Sequence, residues 1–363
     1  MLQEQVRYGL VGTGLMAREH IRNLALTPGA LVTALADPVG SSLDQAIVAL
    51  GEHADRVARF GDAAALASSG LVDAVVVASP NYTHRTVLEP LFDAGLHILC
   101  EKPLATTIED ARWVMERAAK SPGILWTAME YRYMPPAAAF IEQVHGGRIG
   151  TLRMLSIREH RFPFLPKVGD WNRFNRNTGG TMVEKCCHFF DLMRLITQSE
   201  ATRVYCSGAM DVNHVHERYQ GERPDIIDNS YTTIDFANGV RAMLDLSMFA
   251  EGAENQEEIT AVGDKARLDV LIPESALVFS PRVGFGQPKQ VERRIVDVDP
   301  AALAAGSHHG STFYEHQKFI AAVRGQGAVE VTAKDGLMAV AIGTAAELSA
   351  REKRAVEMME LGF

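Results

Sequence analysis

At 363 residues, with 47% of them apolar, the chain is long enough for about two domains with full cores. A formal charge of −9 disfavours nonspecific binding to nucleic acid or to an anionic membrane, and no apolar run reaches the length of a bilayer span. Four cysteines, two of them adjacent at 186 and 187, make no disulfide framework, and the opening MLQEQVRYGLVGTG lacks a secretory pattern, so a soluble cytoplasmic protein is expected.

Residues 6 to 121 alternate short apolar runs with helix-length segments. VRYGLVG, LVTALAD, DAVVVAS, HILCE and ILWTA (124–128) read as strands, and this alternation predicts a parallel, doubly wound sheet of Rossmann type. The first strand runs into Gly12-Thr-Gly14-Leu15-Met16-Ala17, the glycine pattern of a dinucleotide turn. Gly12 permits the tight turn, Gly14 lets backbone approach a pyrophosphate, and small Ala17 allows close helix–strand packing. Leu15 and Met16 open the helix beside the phosphates. Asp37, at the end of the second strand, is placed to bond a ribose 2′-OH. The following Pro38-Val39-Gly40-Ser41-Ser42 holds no cation for a 2′-phosphate, which favours NAD over NADP.

Two further turns follow strands: Ser79-Pro80-Asn81-Tyr82-Thr83-His84, and Cys100-Glu101-Lys102-Pro103. Lys102 stands at the carboxyl end of a parallel strand, where such sheets take ligands, and partial burial could bring its proton exchange near neutrality. From about 150 the texture changes. TLRMLSIREHRF, SYTTIDFANGVRAMLDLSMF and EEITAVGDKARLDVLI read as longer alternating strands with hairpin signals at Asn238-Gly239 and Gly263-Asp264. A second, α+β domain with a large, mostly antiparallel open sheet is expected. TFYEHQKFIAAVRG and KDGLMAVAIGTAAELSAREK are helical, the first with a possible capping box from Thr312 to Glu315. The expected division is 1–125 for the dinucleotide domain, 126–330 for the α+β domain, and 331–363 for a helix returning toward the first.

GGTMVEKCCHFFD, residues 179–191, leaves three readings open. Cys186, Cys187 and His188 could bind metal, but consecutive helical residues point about 100° apart, so no metal is expected. Glu184, His188 and Asp191 could form a solvated stripe opposite Met182, Cys186, Phe189, Phe190 and Met193. Or a cleft helix carries acid–base groups, with Lys185 beside them. Residues 158–185 also concentrate cations, namely Arg158, Arg161, Lys167, Arg173, Arg176 and Lys185, with His160 and Trp171 interleaved. Guanidinium groups suit anions, so a substrate bearing carboxylate, sulfonate or phosphate is one expectation, and solvated loop charges are the other.

The glycine turn, the Ser79–His84 stretch, the Glu101-Lys102-Pro103 signature and the Gly179–Asp191 stretch together resemble the Gfo/Idh/MocA oxidoreductase family over most of the chain. The resemblance implies an enzyme oxidising a secondary hydroxyl of a sugar, glycoside or cyclitol with NAD. It implies that Asn81 and His84 line the cofactor cleft with Ser79, that Glu101 contacts nicotinamide or ribose, that Lys102 reaches the reacting hydroxyl, and that a cis bond precedes Pro103. His188 would be the proton acceptor, with Glu184, where the family has aspartate, orienting substrate or histidine. Tyr131, Arg132, Lys167, Trp171, Arg173, Arg176 and Lys185 are substrate-binding candidates; His308 and His309 are weaker ones. The resemblance also permits two other outcomes: a redox-neutral glycosidase of sulfoquinovosidase type, which oxidises C3, eliminates, adds water and reduces again, and a nucleotide-binding sugar sensor without turnover. A homodimer or homotetramer built on the open sheet is expected.

Overall fold

The computed structural model describes residues 5–363; residues 1–4, part of the opening stretch judged non-secretory, lie outside the described residues. The chain divides into two compact units: 1–130 with 167–171 and 299–340, and 131–166 with 172–298 and 341–363. This differs from the three consecutive segments expected from sequence. The segment 299–340 clusters with the first unit because its helices pack there: α10 (Pro300–Ala305) and α11 (Ser311–Val323) both lie on α1 (Leu15–Leu26). Residues of α12 (Ala333–Glu352) are divided between the units at position 340.

The first unit holds six parallel strands in the order β3-β2-β1-β4-β5-β6: β1 (Val6–Val11), β2 (Ala30–Ala36), β3 (Ala58–Phe60), β4 (Ala74–Val77), β5 (His97–Glu101) and β6 (Leu125–Ala128). Every residue of β4 and β6 is buried, as expected where helices cover both faces. α2 (Gly40–Leu50), α3 (Ala63–Ala67), α4 (His84–Asp93) and α5 (Ile108–Ala118) complete the alternation. Strand order reverses between β1 and β4, so the crevice at their carboxyl ends is where a doubly wound sheet binds nucleotide. The short β3 carried too weak a pattern to be read from sequence.

The second unit contains α6 (Pro135–His145), α7 (Asn175–Thr178), α8 (Thr181–Glu184), α9 (Cys187–Thr197) and a nine-stranded sheet. Its strands are β7 (Leu152–His160), β8 (Ala201–Ala209), β9 (Asn229–Phe236), β10 (Arg241–Ser247), β11 (Glu257–Gly263), β12 (Ala266–Ile272), β13 (Ala276–Pro281), β14 (Glu292–Ile295) and β15 (Val356–Glu357). Only β10 and β7 pair in parallel. The strict alternation of buried and exposed positions along β9 and β10 leaves one face open, carrying Tyr231 and Met243 beside Tyr205 and Met154. The β9–β10 and β11–β12 hairpins turn at the Asn-Gly and Gly-Asp pairs read from sequence.

The Thr312–Glu315 capping box is not formed. The cap of α11 is Gly310, in the left-handed region, while Thr312 turns to Glu19 and Glu315 accepts the Trp126 indole N–H at 3.1 Å. Both side chains serve buried partners instead of the helix end. Among the described residues no helix is long and apolar enough to cross a membrane.

Candidate active site

In the first unit the glycine turn joins β1 to α1. Gly12 has φ +80°, and a Cβ there would be driven into the Ala78–Ser79 backbone after β4. Gly14 is different: φ is −71°, and a Cβ would meet nothing within 4 Å. Among the described residues no side chain caps α1, so its first amides remain available to an anion. Asp37 is fixed beside this turn: its Oδ2 accepts the Thr13 backbone N–H at 2.7 Å and hydroxyl at 3.0 Å, and its Oδ1 accepts the Val39 N–H at 2.8 Å. After β4, the Asn81 amide nitrogen is buried with no hydrogen-bond partner among the described residues. An open glycine face, an exposed helix start, an oriented carboxylate and an unsatisfied buried donor fit a dinucleotide.

His84 is placed more deeply than a cleft-lining residue. Its ring is wholly buried between backbone carbonyls, Nδ1 lying 3.0 Å from that of Pro103 and Nε2 lying 3.2 Å from that of Ser79. It ties the Ser79 turn to the Lys102–Pro103 turn, where the peptide bond is cis. Burial pushes its pKa below the usual imidazole range.

Glu101 ends β5 and is buried. Its Oε1 lies 2.8 Å from Nε2 of His20, and its Oε2 accepts the Lys102 backbone N–H at 3.1 Å. Nδ1 of His20 in turn lies 2.9 Å from Nε2 of His316. Through Nε2 the His20 ring can donate to Glu101, and its Nδ1 can either accept from or donate to Nε2 of His316. Burial holds the His316 pKa well below normal, with His20 adding to the effect. Burial alone would raise the Glu101 carboxyl; the His20 hydrogen bond and charge and the Lys102 ammonium bring it below its ordinary value.

Glu130 follows β6, whose Ala128 pairs with Glu101, so two carboxyls share one end of the sheet. Burial pushes Glu130 up to about 7; His308 and Lys102 oppose this and Glu101 adds to it. Glu19 is the opposite case. Burial would raise it, but hydrogen bonding to His308 Nδ1, 2.8 Å away, and the charges of His308 and His20 hold it down to about 2. Glu19, His20, Glu130 and His316 were missed in the sequence. A signal existed for His20, which shares the inner phase of α1 with Ala17, Ile21 and Leu24.

In the second unit, α8 begins after Gly179 and Gly180, whose φ values are +79° and +94°. The expected single helix is two. α8 ends at Glu184 and α9 starts at Cys187, and between them the Cys186 N–H reaches back to the Thr181 carbonyl at 3.2 Å, a widened turn of π type. Glu184, Lys185, His188 and Asp191 are all buried, which removes the solvated-stripe reading. Among the described residues no group of three His, Cys, Asp or Glu is placed to hold a metal ion.

His188 lies flat against Tyr131, ring centroids 4.1 Å apart and planes 8° apart. Lys185 donates to the Tyr131 hydroxyl at 2.6 Å and pairs with Glu159 at 3.0 Å. Glu159 also meets Arg161 at 3.3 Å, and its cross-strand neighbour on β11 is Glu257, pushed up to about 7 by burial and by Glu159. Asp191 is held by a two-pronged contact from Arg132. Three further cations of the stretch engage carboxylates of their own unit: Arg158 with Glu258, Arg173 with Glu217, and Arg176 with Glu222 at 2.5 and 2.8 Å. His160 meets Asp245. Trp171, in the first unit, packs edge-on against Tyr82 at 6.0 Å.

Residues 6–129 match the oxidoreductase family's NAD-binding Rossmann fold, and residues 141–358 match the same family's C-terminal alpha/beta domain. The chain is 26% identical over 357 residues to the myo-inositol 2-dehydrogenase of Thermotoga maritima, covering 98% of this chain and 99% of that protein. It is also 26% identical to the D-apiose dehydrogenase of Paraburkholderia graminis, covering 97% and 89%. The solved levoglucosan dehydrogenase complex with NADH shares the fold at a TM-score of 0.84, with 20% identity and 98% and 99% coverage. Carrying both domains of that family in order, this chain belongs to the Gfo/Idh/MocA oxidoreductases and has their NAD-binding Rossmann domain.

Proposed function

We propose that the protein oxidises a secondary hydroxyl of a sugar or cyclitol, with His188 taking the hydroxyl proton and Lys102 steadying the developing alkoxide. The observation that carries this is the placement of Lys102 at the carboxyl end of β5, next to the switch point where β1 and β4 carry the glycine turn and Asn81. NAD held there would accept the hydride from the carbinol carbon. Gly12, Gly14, Leu15 and Met16 would cradle its pyrophosphate, Asp37 would bond its ribose, and Ser79, Asn81 and Glu101 would line the remainder. The named substrates of the two dehydrogenase relatives, a cyclitol and a sugar, support the substrate class.

His188 suits a base because imidazole exchanges protons near neutrality. Tyr131 and Glu184 are proposed to orient it and the substrate. An anionic substituent is the narrower version of this reading. Arg132, Arg173, Arg176 and Lys185 already engage polar groups of the chain, so such a substrate would have to compete with those pairs. The redox-neutral glycosidase is the other version, favoured by the departure at Glu184-Lys185. One assay separates them all: NAD with a panel of neutral sugars, cyclitols, their uronic or sulfonated forms, and chromogenic glycosides. NADH accumulating in step with oxidised product is the expected result. Sugar release with no net NADH would replace it with the glycosidase, and tight NAD binding with no turnover at all would leave a sensor. The exposed sheet face bearing Tyr205, Tyr231, Met243 and Met154 supports self-assembly into a dimer or tetramer.

A further inference from the structure

Lys185 is a buried cation of the second unit that the proposed chemistry leaves unused, and its burial calls for a reason. Its side chain is 4% exposed, and Glu159 opposite it is completely buried. A methionine or leucine would fill the same volume without taking two charges out of water, and buried ion pairs of this kind commonly stabilise no better than such a hydrophobe. What a hydrophobe could not do is hold the Tyr131 hydroxyl.

We propose that Lys185 is a positioning residue: its ammonium, clamped between the Glu159 carboxylate and the Tyr131 hydroxyl, pins the Tyr131 ring against His188 and so fixes the plane in which that imidazole exchanges its proton. The inference rests on the reading of His188 as the base. Three observations carry it. The lysine occupies the break between α8 and α9, where the widened turn directs it toward β7 and not along the helix. Its Nζ lies 3.0 Å from Glu159 and 2.6 Å from the Tyr131 oxygen, so one cation joins strand to ring. The Tyr131 ring is trapped on its other sides, with Phe189 edge-on at 5.7 Å and His188 stacked at 4.1 Å. A phenol that is not held at its oxygen can tilt, and the plane of the ring stacked on it tilts with it. Fixing the phenol at its oxygen limits that tilt, and preorganisation of this kind is what proton transfer between heavy atoms about 3 Å apart requires.

The electrostatic surroundings are defined. Lys185 faces Glu159 from β7, Arg161 just past its end, and Glu257 from β11; His188 has Glu184 and Asp191 on its own segment, Asp191 being paired with Arg132. Removing the ammonium therefore takes a cation from the vicinity of the imidazole while leaving a carboxylate behind, and both changes favour the protonated ring.

The test uses the full chain with Lys185→Met, Lys185→Arg, Tyr131→Phe and the charge-balanced pair Glu159→Gln/Lys185→Met. kcat and KM are measured against pH, and the His188 imidazole is titrated by NMR in protein without substrate. For Lys185→Met, kcat is expected to fall about tenfold with KM within about twofold, and the His188 titration to move up by roughly one unit. Tyr131→Phe keeps the stack but loses the pin, so it should show the kcat loss; Lys185→Arg should recover part of it. The charge-balanced pair should melt near the parent temperature and still lose kcat. An unchanged pH profile and His188 titration in Lys185→Met would overturn the proposal and leave the lysine a structural ion pair. Normal turnover in His188→Ala would instead end the reading of His188 as base, and the NMR titration would still report whether Lys185 governs the ring.

Discussion

Thr13 reaches the Asp37 Oδ2 twice, through its backbone N–H at 2.7 Å and its hydroxyl at 3.0 Å. The glycine turn thus holds the carboxylate that would bond the ribose, while Val39 holds its other oxygen. A preoriented acceptor loses little entropy on binding, so its removal should be felt directly. Asp37→Ala is expected to weaken NAD by about tenfold, the value of one hydrogen bond to a charged group. NADP should gain little, because residues 38–42 offer no cation. Calorimetric titration with both nucleotides checks this, and an unchanged NAD affinity would remove Asp37 from the site.

The two glycines of the turn make separable predictions. Alanine at Gly12 must adopt φ +80° and meets the Ser79 backbone, so Gly12→Ala should destabilise the protein by about 1–3 kcal/mol. Alanine at Gly14 meets nothing and has an ordinary φ, so the melting temperature should hold while NAD affinity falls as the methyl fills the open space. Thermal melts paired with NAD titration distinguish the two effects. Equal loss of stability in both variants would contradict the open-face geometry.

Much of this was legible in the sequence for one reason: backbone requirements leave strong marks. The Rossmann strands appear as β-branched runs buried on both faces, and the turn at Gly12 needs a residue type that few positions tolerate. The hairpins at Asn238-Gly239 and Gly263-Asp264 were visible on the same grounds. Side-chain pairing leaves weaker marks. The cations of residues 158–185 left an anion receptor and solvated loop charges both open, because carboxylates that meet three of them, Glu217, Glu222 and Glu258, lie about 45 to 100 positions downstream. The stripe reading of residues 182–193 rests on a continuous helix and could not foresee the break at Lys185. Yet one clue was present: Leu155, Ile157 and Glu159 share the inward phase of β7, as do Glu257 and Ile259 on β11. A carboxylate on the core face of an amphipathic strand signals a buried cation.

Lys102 and His188 carry the proposed chemistry, and single substitutions should separate chemistry from binding. Lys102→Met and His188→Asn are each expected to lower kcat by roughly 100- to 10,000-fold, the range for loss of a positioned acid–base or charge-stabilising group. Fluorescence titration should show NADH still binding to both. Retention of parent-like kcat by either variant would require another residue in its role.

Glu257 gives a prediction about pH and stability. Its folded pKa lies near 7, above the ordinary value of 4.5, because burial and the neighbouring Glu159 disfavour its ionised form. Between those two values the folded chain binds more protons at this site than the unfolded chain does. Stability contributed by the site is therefore present below pH 4.5 and is lost as pH rises through 7. Glu257→Gln cannot ionise and should escape the loss. The variant and the parent should accordingly be close in stability near pH 4.5 and diverge above it, the variant becoming the more stable by an amount on the order of 1–3 kcal/mol at pH 8. Buried His84 and His316 impose an opposite trend between acid pH and about 6.5, since their folded forms resist protonation. That trend is common to both proteins and cancels in the difference. Denaturant melts of the pair across pH 4.5–8 measure it, and a constant difference over that range would mean that Glu257 titrates normally and that Lys185 and Arg161 neutralise both carboxylates at once.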